Sequence, residues 1–323
     1  MEHHMATAEV ALVGCEGYES AAGVRRAAAE CFRLLGGIGA VVRPGQRVLL
    51  KPNLLAAVPA AVPANTHPSV VAAVAELALE AGAEVWIGDS PAFPRLESVC
   101  RASGLDQVAR RLGVRIVPFR RPVVVPSRAP AVVSAVKVDR AVFEADVVIN
   151  IPKLKTHRQL GFTAAAKNLY GCMPGKRKAW HHSRIPGDHR FAAFLAAFAA
   201  TVPASFHLVD AVVAMHRDGP TGGDPLPVGL LVAGCDPFAV DALIARLIHL
   251  PDTHDLIGRA ARELGPEVTD PERIVVRGLE PGALPEIPFR HAALVGTSFT
   301  MPRVLRSAAR SFLISRLGRR ERR

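Results

Sequence analysis

The sequence predicts an α/β fold: a doubly wound, mostly parallel sheet with helices on both faces. Three observations predict it. Short β-branched runs alternate with Ala-rich helical stretches. The runs are apolar throughout, so both sides of each strand must be covered. The chain, at 323 residues and 50% hydrophobic, is long enough for a substantial core.

The elements follow in order. Arg47–Leu50 (RVLL) reads as a strand. Pro68–Leu79 (PSVVAAVAELAL) reads as a helix, with Pro in its first turn and Gly82 closing it. Glu84–Ile87 (EVWI) is the next strand. Leu96–Leu112 is helical with an interruption near Gly104, and Val114–Pro118 is extended. A looser β-rich stretch, Pro122–Val138, precedes the strongest strand, Asp146–Ile151 (DVVINI). Phe191, Phe194, Leu195 and Phe198 recur at i, i+3, i+4, i+7, the buried face of a helix. Ser205–Val209 and Val228–Ala233 read as strands. Asp236 at an N-cap and Pro237 behind it open a helix running to about Leu250. The segment Lys153–Asp188 breaks this alternation and reads as a long loop with one short helix, Thr163–Tyr170. The expected organisation is a single α/β domain over 1–301, with a basic insertion or lid at 153–190, and a basic amphipathic tail over 302–323.

The net charge of +11 is concentrated in two places. Between Lys153 and Arg190 nine Lys/Arg face one acid, Asp188, and from Pro302 to Arg323 eight Arg face one, Glu321. The remainder is slightly acidic, so the surface is not generally cationic. In the tail, Leu305, Ala308, Ala309 and Phe312 share one helix side, and Arg303, Arg306 and Arg310 the other. That pattern suits an anionic membrane surface, or a terminal helix docked on the body. Aromatics, at 5%, are too few for a single-strand stacking platform, and nucleic acid is not an expected partner. Phe191–Val209, a long uncharged stretch, contains Pro203, Ser205 and His207 and does not read as a membrane span. Met1–Met5 opens on no basic-then-apolar leader pattern. Cys15, Cys31, Cys100, Cys172 and Cys235 form no CxxC pair. They read as reduced thiols in a cytoplasmic protein, with no iron–sulfur cluster from this chain alone.

Polar residues recur just past the apolar strands. Lys51 and Asn53 follow VLL, Asp89 and Ser90 end VWIG, Lys153, Lys155 and His157 follow VVINIP, and Asp210 follows FHLV. In an open parallel sheet, ligands bind outside the carboxyl ends of the strands, so these residues are expected to face one cleft. Lys153, Lys155 and His157, spaced by two, would point the same way on an extended segment and form an anion clamp. Like charges there lower one another's pKa, which makes a lysine a base or nucleophile. The plainer reading is a solvated basic edge strand.

Three weaker signals stand nearby. The start of Thr163–Tyr170 (TAAAKNLY) would offer free amides to an anion, with Lys167 and Asn168 a turn on and Gly171 closing the helix. Asp218–Asp224 (DGPTGGD) is a Gly-rich turn whose Gly219, Thr221, Gly222 and Gly223 could approach a phosphate or carboxylate. It is no P-loop, because no GK[ST] follows. His181, His182 and His189 with Cys172 match no standard zinc spacing. Asp89 with Asp210 is a candidate pair for a Mg²⁺ that bridges a bound phosphate.

Taken in order, LLKPNLL at 49–55, THPSVVAAV at 66–74, VWIGDSPA at 85–92, DVVINIPKLKTH at 146–157, TAAAKNLYG at 163–171, DAVVAMHRDGPTGG at 210–223 and AGCDPFAVDALIARL at 233–247 resemble the family of domain of unknown function 362. The KxKTH segment followed by KNLxG carries most of that resemblance. It implies that Lys51, Asn53, Asp89, Lys153, Lys155, His157, Lys167, Asn168, Asp210, Gly219, Gly222 and Gly223 stand at positions the family uses. Many members of that family add a ferredoxin-like Cys-rich module, which is not found here. The resemblance therefore implies an architecture more than a reaction.

The expected function is an enzyme acting on a small carboxylate- or phosphate-bearing substrate. Lys51, Asn53, Lys153, Asn168, Gly219, Thr221, Gly222 and Gly223 are the candidate binding residues. Lys155, His157 and Lys167 are the candidate acid–base groups, and Asp89 and Asp210 orient a lysine or hold a cation. No GxGxxG follows the first strand, which favours proton or group transfer over hydride transfer. The alternatives are an iron–sulfur or electron-transfer accessory with partner-supplied cluster ligands, and a peripheral membrane binder.

Overall fold

Alternate residues of the central strands pack into opposite cores, and this decides the layering. The computed structural model describes residues 7–91, 94–175, 178, 185, 187–264 and 273–296. Strands β1 (Ala8–Gly14), β2 (Arg47–Pro52), β3 (Glu84–Asp89), β4 (Arg115–Pro118), β7 (Val147–Ile151), β8 (Lys153–His157), β9 (Gly161–Thr163), β10 (Phe206–His216), β11 (Asp224–Gly234) and β12 (Ile274–Gly278) form one sheet. β5 (Pro122–Pro126) and β6 (Ala135–Asp139) form a separate antiparallel pair. Val48 and Leu50 of β2 enter one core, and Leu49 enters the other. In β7, Val147 and Ile149 oppose Val148 in the same way.

The sheet order is β12-β1-β11-β10-β7-β2-β3-β4, with β8 beside β10 and β9 beside β8. Along the main path every neighbouring pair is parallel except those made by β11, which runs antiparallel to β1 and β10. Helices α1 (Ala21–Leu34), α2 (Pro68–Glu80), α3 (Leu96–Ser103) and α4 (Leu105–Leu112) cover one face. The other carries α5 (Ala141–Glu144), α6 (Ala165–Leu169), α7 (Asp188–Thr201), α8 (Pro237–Leu247) and α9 (Leu256–Leu264). The β2→β3 crossover uses α2 on the first face, and β7→β10 uses α7 on the second. Strand order therefore reverses between β2 and β7, where such folds open a crevice.

The expected α/β architecture is present, with local differences. β1 had no expected counterpart; its core residues Val10–Val13 are buried beside β11. β10 runs on to His216 because β11 pairs with it as a long hairpin. The stretch after Ile151 is not a loop: β8 and β9 extend the sheet, and Leu154 of β8 enters the core. The helix expected over Thr163–Tyr170 is only α6, followed by a 3-10 turn, Tyr170–Cys172. The amphipathic tail 302–323, the Met1–Met5 start, and His181 and His182 lie outside the described residues.

Candidate functional site

At the switch point Lys51 on β2 stands in register with Asn150 on β7. Lys51 is fully buried, and its Nζ donates to Asp89 Oδ1 (2.8 Å), Pro52 O (2.8 Å) and, weakly, Asn168 Oδ1 (3.5 Å). An ammonium has three N–H groups, so Lys51 is saturated. Asp89 is equally engaged: Oδ1 also accepts from Ser90 N and Oδ2 from Leu54 N, both at 2.8 Å. Asn168 Nδ2 holds Lys51 O (3.2 Å) and Asn150 Oδ1 (2.8 Å), and Asn150 Nδ2 reaches Ala165 O (2.9 Å) and His207 Nδ1 (3.0 Å). Burial drives the His207 pKa down to about 3, so its ring is neutral. A Cβ on Gly171 would stand 2.6 Å from both Lys51 Nζ and Asp89 Oδ1, so only glycine lets the chain pass this pair.

A second pair lies on β8 and β10. Lys153 Nζ meets Asp210 Oδ2 at 2.9 Å and donates to Tyr18 Oη at 2.6 Å. Tyr18 Oη donates to Asp210 Oδ1 (2.6 Å) and accepts from Val213 N (3.2 Å). Asp210 Oδ2 also takes the His67 amide at 2.9 Å. The His67 ring stacks on Tyr18 with centroids 3.7 Å apart, and its Nδ1 caps α2 by accepting from Ser69 N. Desolvation pushes the His67 pKa down to about 4.

Three further lysines have no carboxylate partner among the described residues. Lys155, buried, donates to Asn53 Oδ1 and to Ala64 O (2.8 Å). Lys178, buried, donates to Ser90 O, while Ser90 Oγ accepts from Gly175 N. Lys167, half-buried on α6, has its Nζ 5.8 Å from the Tyr170 ring centre and makes no hydrogen bond among the described residues. Burial and the charges of Lys167 and Lys153 hold the Lys155 amine well below the usual lysine range. Burial and Lys51 bring Lys167 down to about 8. Burial also brings Lys178 down to about 8, with Asp89 opposing and Lys51 and Lys167 assisting. Lys178 reaches Ser90, next to Asp89; Lys155 reaches Asn53, two residues past Lys51; and Lys167 adjoins Asn168, whose Oδ1 meets Lys51, so the three lysines are grouped around the Lys51–Asp89 pair.

Several expected placements differ. The amides at the start of α6 are taken: Ala165 N and Ala166 N donate to the buried Asp241 of α8 at 2.6 and 3.0 Å. Gly219, Thr221, Gly222 and Gly223 form the turn of the β10–β11 hairpin. Gly219 N donates to Thr156 Oγ1 at 3.0 Å, and a Cβ there would overlap the Thr156 backbone. Close packing on β8 therefore explains this glycine without any ligand. His157 Nδ1 accepts from Gln159 N at 3.2 Å. Asp89 and Asp210 cannot share a Mg²⁺. β3 and β10 are separated by two strands, about 14 Å. Protein donors also already occupy both carboxylates. His189 is exposed and pairs with Glu263, away from the buried Cys172.

Sequence reasoning missed Tyr18, His67, Asn150, Lys178, His207 and Asp241. Lys178 stood in the counted basic patch, and the polar Asn150 inside DVVINI was the signal for a buried network. A groove of about 430 Å³, lined by Pro68, Ser69, Ala73, Glu76, Gln107 and Arg111 among others, crosses the α2–α4 surface. None of the clustered lysines lines it.

Comparison with known proteins finds a match to the family described as Domain of unknown function (DUF362) over residues 48–246. The Thylakoid-associated protein sll1697 of Synechocystis is 38% identical over 291 residues, covering 87% of each chain. Among solved structures, the lactate racemase apoprotein of Thermoanaerobacterium thermosaccharolyticum aligns with a TM-score of 0.44 and 11% identity, covering 73% of this chain and 56% of that one. A Thermotoga maritima protein aligns with a TM-score of 0.41 and 13% identity, covering 76% and 58%. The chain thus spans just over half the length of either solved chain.

Proposed function

We propose that this chain, which belongs to the family of domain of unknown function 362, is an enzyme that binds a small carboxylate- or phosphate-bearing substrate at the β2–β7 switch point. The observation that carries the reading is the trio Lys155, Lys167 and Lys178: three amines at one sheet edge with no carboxylate among the described residues to balance them. Unpaired buried cations are costly, and an anionic ligand relieves that cost. The charge-balanced pairs Lys51–Asp89 and Lys153–Asp210 act as the rigid wall that fixes the trio. Such fixed donors stabilise developing negative charge without reorganising.

Lys167 is the acid–base group in this reading. It is the least buried of the trio, and with a pKa near 8 it can both give and take a proton close to neutrality. The test is proton exchange into substrate. Full-length protein in deuterated buffer is incubated with a panel of carboxylates and phosphate esters, and label is read by NMR. Labelling or turnover of one class by the wild type, with a loss of about 100-fold or more in Lys167→Met, is the expected result. Equal rates in both proteins remove Lys167 from the chemistry.

The curated relative's description as thylakoid-associated favours a second reading, in which a cytoplasmic protein docks on an anionic membrane surface through Arg303–Arg323. No helix of the described residues is long and apolar enough to cross a membrane. Flotation with vesicles rich in anionic lipid should fall when residues 302–323 are deleted. Unchanged flotation discards this reading.

A further inference from the structure

The lysines of the cluster differ in how many N–H donors they leave open. Lys51 spends all three N–H groups inside the protein. Among the described residues Lys155 spends two and keeps one, Lys178 spends one and keeps two, and Lys167 keeps all three. The open donors are therefore unevenly shared, and most belong to Lys167 and Lys178. The charges are uneven too: Asp89 and Asp210 balance Lys51 and Lys153, so the trio is unbalanced. A single carboxylate offers one charge and about four lone-pair sites, too little for this set of donors. A phosphate or sulfate group, or two carboxylates on a short chain, offers two charges and more acceptor positions.

From this geometry we propose that the lysine cluster selects ligands carrying two negative charges, as a tetrahedral oxyanion or a short dicarboxylate, over ligands carrying one. The proposal rests on the small-anion reading above and narrows it. Lys167 and Lys178 supply the discrimination, because they hold the open donors. Lys155, tethered to Asn53 and Ala64, supplies position.

A consequence is that binding draws protons. Lys167 faces Lys51, Lys155 and Tyr170; Lys178 faces Asp89, Lys51, Lys167 and Cys172; Lys155 faces Lys167, Lys153, Lys51 and Asp89. Cations outnumber carboxylates around each amine. A dianion reverses that local balance and favours the ammonium form.

The experiment is calorimetric titration of the full chain at pH 8 and constant ionic strength with sulfate, inorganic phosphate, malonate and acetate. It is run in two buffers of different ionisation enthalpy. At least one dianion is expected to bind tenfold or more tighter than acetate, with net proton uptake. The sulfate and malonate arms separate the tetrahedral class from the dicarboxylate class. Lys178→Met and Lys167→Met should each erase most of the preference of the dianion over acetate. Lys167 is half-buried, so its variant keeps the test alive if Lys178→Met does not fold. Acetate binding as tightly as every dianion overturns this proposal and spares the small-anion reading. Absence of binding by all four overturns both.

Discussion

Two sets of lysines share one sheet edge and differ in what surrounds them. Lys51 and Lys153 each have a carboxylate within 3 Å and further acceptors. Lys155, Lys167 and Lys178 have no carboxylate partner among the described residues. Burial is nearly the same for Lys51, Lys153 and Lys155, so burial alone does not mark a ligand site. A carboxylate partner does. A buried lysine held by a carboxylate is architecture, whereas one without a carboxylate among the described residues is prepared for something else.

The comparison breaks most easily at the saturated end. Asp89→Ala should cost about 3–5 kcal/mol, because it strands the buried Lys51 charge. Urea unfolding measures it, and a loss under about 1 kcal/mol would mean that Lys51 is not held as a structural cation. Tyr18→Phe comes next. It removes the hydroxyl that serves Asp210, Lys153 and the Val213 amide together. A cost of about 2–3 kcal/mol in the same assay is expected, since each partner is left desolvated. Gly171→Ala should cost roughly 1–2 kcal/mol by wedging a methyl against Lys51 and Asp89. A neutral result there would show that the pair can move apart freely, which contradicts its role as a wall.

Much of this edge was legible in the chain. Lys51, Asp89, Lys153 and Asp210 each stand at or just beyond an apolar run, and in a parallel sheet those positions converge. What the chain does not display is who pairs with whom. Tyr18 meets Asp210 across 192 residues, and Lys51 meets Asn168 across 117. Spacing rules reach only a few residues, so saturated lysines and open ones look alike in the sequence. Lys51 and Lys153 were therefore expected to bind substrate, when their donors are mostly or wholly spent on the protein. The α6 amides were misjudged for a related reason: their acceptor, Asp241, comes from a helix 76 residues away. The segment after Ile151 was read as a loop because its polar residues hide the alternation that places Leu154 inward and the lysines toward the cleft.

The smallest expected effect tests the open end. Lys167→Met removes an amine that the fold has desolvated without compensation, so it should stabilise the protein, by about 1 kcal/mol near pH 7 once partial exposure to water is allowed for. The sign follows from linkage. The folded pKa, about 8, lies below the ordinary lysine value. Below pH 8 the amine is charged in both states and the penalty is complete. From pH 8 to about 10.5 the unfolded chain keeps the proton while the folded one releases it, so wild-type stability rises with pH. Above that range the amine is neutral in both states and the penalty is gone. The difference between Lys167→Met and wild type should therefore be largest at or below pH 8 and close as the pH climbs. Buried thiols such as Cys100 and Cys172, pushed up to about 12, tilt the absolute curves the other way above their ordinary range, and only the difference isolates Lys167. A variant that is less stable than wild type at pH 7, with a gap that pH does not change, would mean that Lys167 is already satisfied in the empty protein. The contrast between spent and open lysines would then fail at the residue on which it leans most.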